Sequence, residues 1–245
     1  MKHLEEYLTK LSYSMEEKLF FLNHINLNDY KYFYDFGCAD GTIIKKLSKE
    51  FPDVNFVGYD KEMFMIEKCK QDAPNNTYFT NDITELQKLI NNNSGVIFFS
   101  SVLHEIDEYD YSIILKLMKS NNVIVIRDMY FNNKLNNKID CSFLKKQSIN
   151  QLISDFENKY GKIDNLLTLY HFFLKYTYTE GWQRELNENY FGINYEYFIE
   201  NLEQNNFFVV LDHKYTLAYK KQEILNNFNY NLDLPTHRNL ILKKK

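Results

Sequence analysis

Asp35, Gly37, Ala39 and Gly41 in the stretch YDFGCADGT form an Asp-x-Gly-x-Ala-x-Gly series directly behind an aromatic, strand-like run. Gly37 lets the chain turn sharply, Ala39 is small enough for a ligand to approach the backbone, and Gly41 opens a helix whose first N–H groups face outward. Cys38, inside the series, reads as a small filler. The spacing is not the GxGxxG that a dinucleotide pyrophosphate requires. A carboxylate at Asp35 would also repel phosphate oxygens at short range, so the ligand implied here carries a positive amine. About twenty residues on, NFVGYD ends in Asp60, where an acidic residue accepts from two ribose hydroxyls. Asp82 in TNDI stands at the same edge after a third strand, placed to accept from an exocyclic adenine amine. Taken singly, each is an ordinary turn or a solvated carboxylate; in register at consecutive strand ends they describe one site.

A ligand with an amino-acid part, a ribose and an adenine is S-adenosylmethionine, and the chain resembles the class I methyltransferases that use it. YDFGCADGT looks like their glycine-rich first motif, FVGYD the second, TNDI the third and GVIFFSSVLHEI the fourth. The resemblance implies that Asp35, Gly37 and Gly41, with Cys38 and Ala39 between them, hold the methionine part. It further implies Asp60 with Lys61 at the ribose, Asp82 with Ile83 at the adenine, and Ser100 at the end of the fourth strand. Ala39 stands where the family usually has glycine. Lys61 stands where an apolar residue often packs the adenine, leaving Met63 or Met65 as substitutes. By analogy with the family, N-terminal helices and Tyr13 close over the cofactor.

Acceptor chemistry is expected where the fourth and fifth strands end, in SSVLHEIDEYD and IRDMYF, with Ser101 beside Ser100. His104 is a candidate base, since an unperturbed imidazole titrates near pH ~6.5. The alternative is that His104 satisfies a loop carbonyl while Glu105 caps the next helix. Arg127 and Asp128 either pair with each other, or Arg127 forms a fork for a carboxylate or phosphate on the substrate. In LPTHRNL, Thr236 and His237 either point to the same pocket or belong to a turn. His104, Glu105, Asp128 and His237 carry ligand types that suit a hard or borderline cation, yet no tight spacing such as HxH or HExxH joins them, and no metal is assigned. Trp182, Glu185, Glu188 and Tyr190 read either as a wall for an amine or sugar or as core.

These residues need a sheet edge to gather them. YKYFYDF, NFVGYD, TYFT, GVIFFS and NVIVIRD read as strands, and DGTIIKKLSKEF, KEMFMIEKCKQD, ITELQKLINNN and YDYSIILKLMKS as the helices between them. The expectation is a doubly wound α/β fold with a seven-stranded, mostly parallel sheet and an antiparallel last strand. Residues 1–29 are expected as N-terminal helices, 30–130 with 193–245 as the Rossmann-like domain, and 131–192 as a helical cap or substrate insertion. Within the insertion FLKKQSINQLISDFENKY and IDNLLTLYHFFLKYTY look helical. After it, NYEYFIENLEQN reads as a helix, FFVVLDHKYTLAY as one long strand and HRNLILKK as the last.

The 245 residues suffice for one catalytic-sized unit with a substantial core, and three scattered cysteines without a CxxC pair offer neither a disulfide framework nor a zinc site. The opening residues carry acidic side chains and no long apolar run, so neither a signal peptide nor a membrane span is expected, and the location expected is cytoplasmic. A net charge of −4 with dispersed basic residues disfavours nucleic acid as substrate. The terminal KKK with Lys134, Lys138, Lys145 and Lys146 keeps RNA methylation as an alternative, beside a scaffold that has lost transfer. The leading expectation is O- or N-methylation of a small polar or glycan-like acceptor. The sequence assigns no oligomeric state.

Overall fold

The computed structural model describes residues 15, 17–106, 111–135, 137–144 and 147–245. Tyr13, Lys145 and Lys146 lie outside them, as does most of the expected N-terminal helical region. In the described part of that region Glu17 and Lys18 are helical, followed by 3-10 turns at Phe20–Asn23 and Leu27–Asp29.

Strand and helix then alternate as the hydrophobic periods require: β1 (Tyr32–Phe36), α1 (Thr42–Glu50), β2 (Asn55–Tyr59), α2 (Met63–Lys70), β3 (Thr77–Thr80), α3 (Ile83–Asn92), β4 (Val96–Ser100), α4 (Tyr111–Lys119) and β5 (Val123–Met129). Local chemistry sets the boundaries. Asp40, one residue before the N-cap Gly41 of α1, accepts from the Thr42 backbone N–H and hydroxyl at 3.1 and 2.7 Å and so fixes the turn into the helix. The helix stops just before Pro52, since a residue that precedes proline is pushed out of helical backbone. Further on come α5 (Asn150–Tyr160), α6 (Leu166–Tyr176), α7 (Trp182–Glu185), α8 (Tyr195–Glu203), β6 (Phe207–Tyr215), α9 (Ala218–Phe228) and β7 (His237–Lys244).

The strand order is β3-β2-β1-β4-β5-β7-β6, with β1 paired in parallel to both β2 and β4. Tyr130 N–H donates to Thr236 O and Lys244 N–H to Asn122 O, which runs β7 antiparallel to β5. Thr236 N–H on Tyr215 O and Lys245 N–H on Asn206 O do the same against β6. The sheet is therefore the expected one, with only its last strand reversed. Chain order switches direction between β1 and β4, the place where such sheets open a crevice at their carboxyl ends.

Two compact units make up the chain. The first comprises residues 1–128, 194–212 and 239–245. Its core covers one sheet face, where Phe33, Phe56, Phe98 and Val125 meet Phe21, Leu27, Ile44 and Leu47. Because side chains alternate along a strand, Tyr34 points to the other face, and its hydroxyl donates to Asn93 O at 2.6 Å behind α3. The second unit comprises residues 129–193 and 213–238. Its core is aromatic: Phe156, Phe172, Phe173 and Phe228 cluster with Trp182, whose Nε1 donates to Asp155 Oδ2 at 3.1 Å. Lys175, fully buried, donates from Nζ to the Glu185 and Glu188 carbonyls. Trp182 and Tyr190 are thus packing residues of this unit.

FFVVLDHKYTLAY is not one strand. β6 ends at Tyr215 and α9 takes up the chain at Ala218, because Leu217, Lys220, Ile224 and Phe228 share one buried helical stripe. The intervening Lys, Gln and Glu of YKKQEILNNF hide that period from an apolar count. FLKKQSINQLISDFENKY likewise holds 3-10 turns at Ser142–Leu144 and Gln147–Ile149 before α5 begins.

Candidate active site

The loop after β1 is held in shape by its neighbour strand. Gly37 and Cys38 both donate their N–H to Tyr59 O, and Ala39 N–H donates to Asp60 Oδ2 at 2.9 Å. Asp60 Oδ1 accepts from Glu62 N–H at 3.0 Å. One carboxylate therefore fixes the loops after β1 and β2 together. Gly37 takes φ +79°, and a Cβ there would stand 2.6 Å from Val102 Cγ2, so no larger residue fits. Ala39 also sits in left-handed backbone, at φ +46°, where an L side chain costs about 1 kcal/mol relative to glycine. Ala39→Gly is accordingly expected to raise stability by about 1 kcal/mol, or about 2–4 °C in Tm, read in a thermal melt; a lower Tm would show that the loop is not strained there.

Asp35, the last residue but one of β1, is 2 % exposed, and its Oδ2 has no hydrogen-bond partner. Burial pushes this carboxyl up to about 7, with the Lys18 ammonium pulling it down and Asp60 adding to the rise. An acceptor left bare in a dry site costs stability unless something donates to it. The Cys38 thiol is buried and is pushed far up by the neighbouring Cys69 thiol and by burial, so it is an inert packing group.

Asp82 caps α3, its Oδ1 accepting from Thr84 N–H at 2.8 Å, while its own N–H donates to Thr80 Oγ1 at 3.0 Å. Ile83 follows as the first residue of α3 and is half-buried. Lys61 is exposed, as is Met63 at the start of α2, and Met65 is half-buried.

At the ends of β4 and β5, Asp128 and His104 come together. Asp128 is fully buried; its Oδ2 accepts from the N–H groups of Val102, Leu103 and His104, and its Oδ1 meets His104 Nδ1 at 2.5 Å. A buried carboxylate facing Nδ1 fixes the proton on that nitrogen and directs Nε2 to proton exchange. His104 is thus held through Nδ1 by a carboxylate, and Glu105 ends the same short turn, exposed. Arg127 does not pair with Asp128, because adjacent strand residues point to opposite faces. Its Nη1 donates to Ser101 Oγ at 3.2 Å and its Nη2 to Glu17 Oε2 at 3.4 Å. Ser100, the strand partner of Arg127, has a buried Oγ without a partner.

His237 belongs to the second unit, where its Nδ1 bonds Thr236 Oγ1 at 2.9 Å and its ring packs on Tyr215. Glu185 and Glu188 also belong there, the first accepting from the Tyr190 hydroxyl and the second from Arg184. Glu17 and Lys18 were not singled out in the sequence, and EEKLF holds no signal for them. Only folding brings them beside Asp35 and Arg127. Among the described residues no helix is long and apolar enough to cross a membrane.

A family model described as a methyltransferase domain matches residues 28–192, about two thirds of the chain. No curated protein matches the sequence. Solved structures share the fold: PKMT2 from Rickettsia typhi (TM-score 0.56, 16% identity) covers 90% of this chain, and the chain spans 49% of that protein. A SAM-dependent methyltransferase from Archaeoglobus fulgidus (0.53, 17%) is aligned over 94% of this chain and 95% of its own. A TehB-like SAM-dependent methyltransferase from Corynebacterium glutamicum (0.51, 13%) is aligned over 100% and 99%. At such identities the likeness is one of fold.

Proposed function

The chain belongs to the class I S-adenosylmethionine-dependent methyltransferases, and from that premise we propose that it methylates an oxygen or nitrogen of a small polar or glycan-like acceptor, with His104 as base. The cofactor is S-adenosylmethionine. When bound, it supplies an electrophilic methyl group on a sulfonium. The observation that carries the reading is the His104–Asp128 pair at the carboxyl ends of β4 and β5.

The residues present fit the cofactor. Asp35 Oδ2, buried and without a donor, suits an ammonium group. The loop from Gly37 through Cys38 and Ala39 to Gly41 provides the close backbone approach beside it, Asp60 the acceptors for ribose hydroxyls, and Asp82 with Ile83 the adenine end. Asp128 orients His104, so that Nε2 takes the proton of the acceptor hydroxyl or amine as the methyl group arrives. Holding the nucleophile in line is the other task of the site. We further propose residues 131–192 as the part that selects the acceptor. A cytoplasmic setting is part of the same proposal, in keeping with three scattered cysteines and no CxxC pair.

Calorimetric titration with S-adenosylmethionine, S-adenosylhomocysteine and NAD tests the cofactor assignment. The first two are expected to bind and NAD not to. Asp60→Ala is expected to weaken both by about tenfold to a hundredfold, since two charge-assisted hydrogen bonds and the anchor of Ala39 go together. NAD binding, or an indifferent Asp60→Ala, would sink the assignment.

A further inference from the structure

Arg127 is a buried cation with too few partners. At 3 % exposure it keeps one long contact to Glu17, whose side chain is 44 % exposed, and one to Ser101, while its Nε has no acceptor. Ser100 stands opposite it in register, on the same sheet face, with an equally buried and unpartnered Oγ. Lys18, next in the chain to the Glu17 that contacts Arg127, adds a second cation, its ammonium held below its usual value by burial and by Arg127, with Asp35 and Asp40 opposing. A buried guanidinium with a half-buried ammonium near it and two bare polar atoms on its strand pair are unfavourable unless an anion completes them. In this structure the Glu17 carboxylate, reaching in from the N-terminal segment, supplies part of that charge.

We propose that Arg127, Ser100 and Lys18 form a subsite for a carboxylate or phosphate group of the methyl acceptor, which displaces Glu17 from Arg127. This rests on the methyltransferase reading, in which the loops after β1, β2 and β3 serve the cofactor. The ends of β4 and β5 then fall to the acceptor, with Arg127 and Ser100 on one face of the sheet edge and Asp128, which holds His104, on the other. The guanidinium fork, a hydroxyl donor and an ammonium match the oxygens of such a group. The acceptor is therefore an acid, and its neutral ester or amide is a poor substrate.

The test is calorimetry with inorganic phosphate as probe, on the protein alone and saturated with S-adenosylhomocysteine. Glu17→Gln is expected to tighten phosphate binding about tenfold by removing the internal competitor, while Arg127→Gln abolishes it and Ser100→Ala and Lys18→Met weaken it about tenfold. Equal phosphate affinity across these variants would overturn the proposal. Glu17 is exposed and Ser100→Ala is a small change, so the comparison stands even where Arg127→Gln fails to fold. A second arm compares S-adenosylmethionine with its decarboxylated form. If removing the cofactor carboxylate weakens binding to the wild type but not to Arg127→Gln, the anion belongs to the cofactor and the acceptor subsite is overturned. If neither nucleoside binds while phosphate still responds to Glu17 and Arg127, the cofactor reading fails and the anion subsite stands.

Discussion

Replacing His104 with alanine is expected to slow methyl transfer by about 10²–10⁴-fold, the usual contribution of a positioned base, while cofactor affinity stays unchanged. The imidazole is held by Asp128 and is not among the groups assigned to the cofactor. Asp128→Asn should cost nearly as much in rate with the fold retained. Its carboxamide oxygen still accepts from the Val102, Leu103 and His104 N–H groups, but its NH₂ donates to Nδ1 and drives the imidazole proton onto Nε2, the wrong nitrogen for a base. Asp128→Ala differs in kind. It strips three buried N–H groups and an imidazole of their shared acceptor, a loss of about 3–5 kcal/mol that appears as a Tm lower by about 10 °C. Single-turnover rates on an acid acceptor, set beside thermal melts, separate the three variants. Normal turnover in Asp128→Asn would remove the orienting role.

The second large effect is a pH dependence of cofactor binding. Burial holds the Asp35 carboxyl up to about 7, so near pH 6 it is mostly protonated and near pH 8 mostly ionised. An ammonium ligand binds the ionised form, and each molecule bound on the acid side expels a proton. Apparent affinity should therefore rise about tenfold from pH 6 to pH 8 and then level off. Asp35→Asn should flatten that profile and weaken binding by about a hundredfold, since a buried charge partner is lost. The stability of the ligand-free protein moves the other way. The folded value lies above the unfolded one, so the contribution of Asp35 is fully present below the ordinary carboxylate range and fades as pH rises through about 7. The thermal shift given by S-adenosylhomocysteine should accordingly grow with pH. Calorimetry in buffers of different ionisation enthalpy counts the proton directly, and a flat profile in the wild type would show that Asp35 does not face the ligand's amine.

The sequence by itself determined the frame of the site. β1 to β5 and β7 fall where apolar runs of strand length meet turn residues, and Asp35, Asp60 and Asp82 mark the ends of three of those strands because strand periods and turn chemistry are local properties. The left-handed backbone at Gly37 and Gly41 was legible for the same reason. Tertiary structure decided the partners. His104 and Asp128 are 24 residues apart and meet because β4 lies beside β5. Arg127 and Asp128, adjacent in the chain, part because the pleat sends them to opposite faces. Glu17 reaches Arg127 across 110 residues with nothing in EEKLF to announce it. α9 stayed hidden because a buried lysine, Lys220, stands in its apolar stripe, and whether a lysine is buried is fixed only when its neighbours assemble around it.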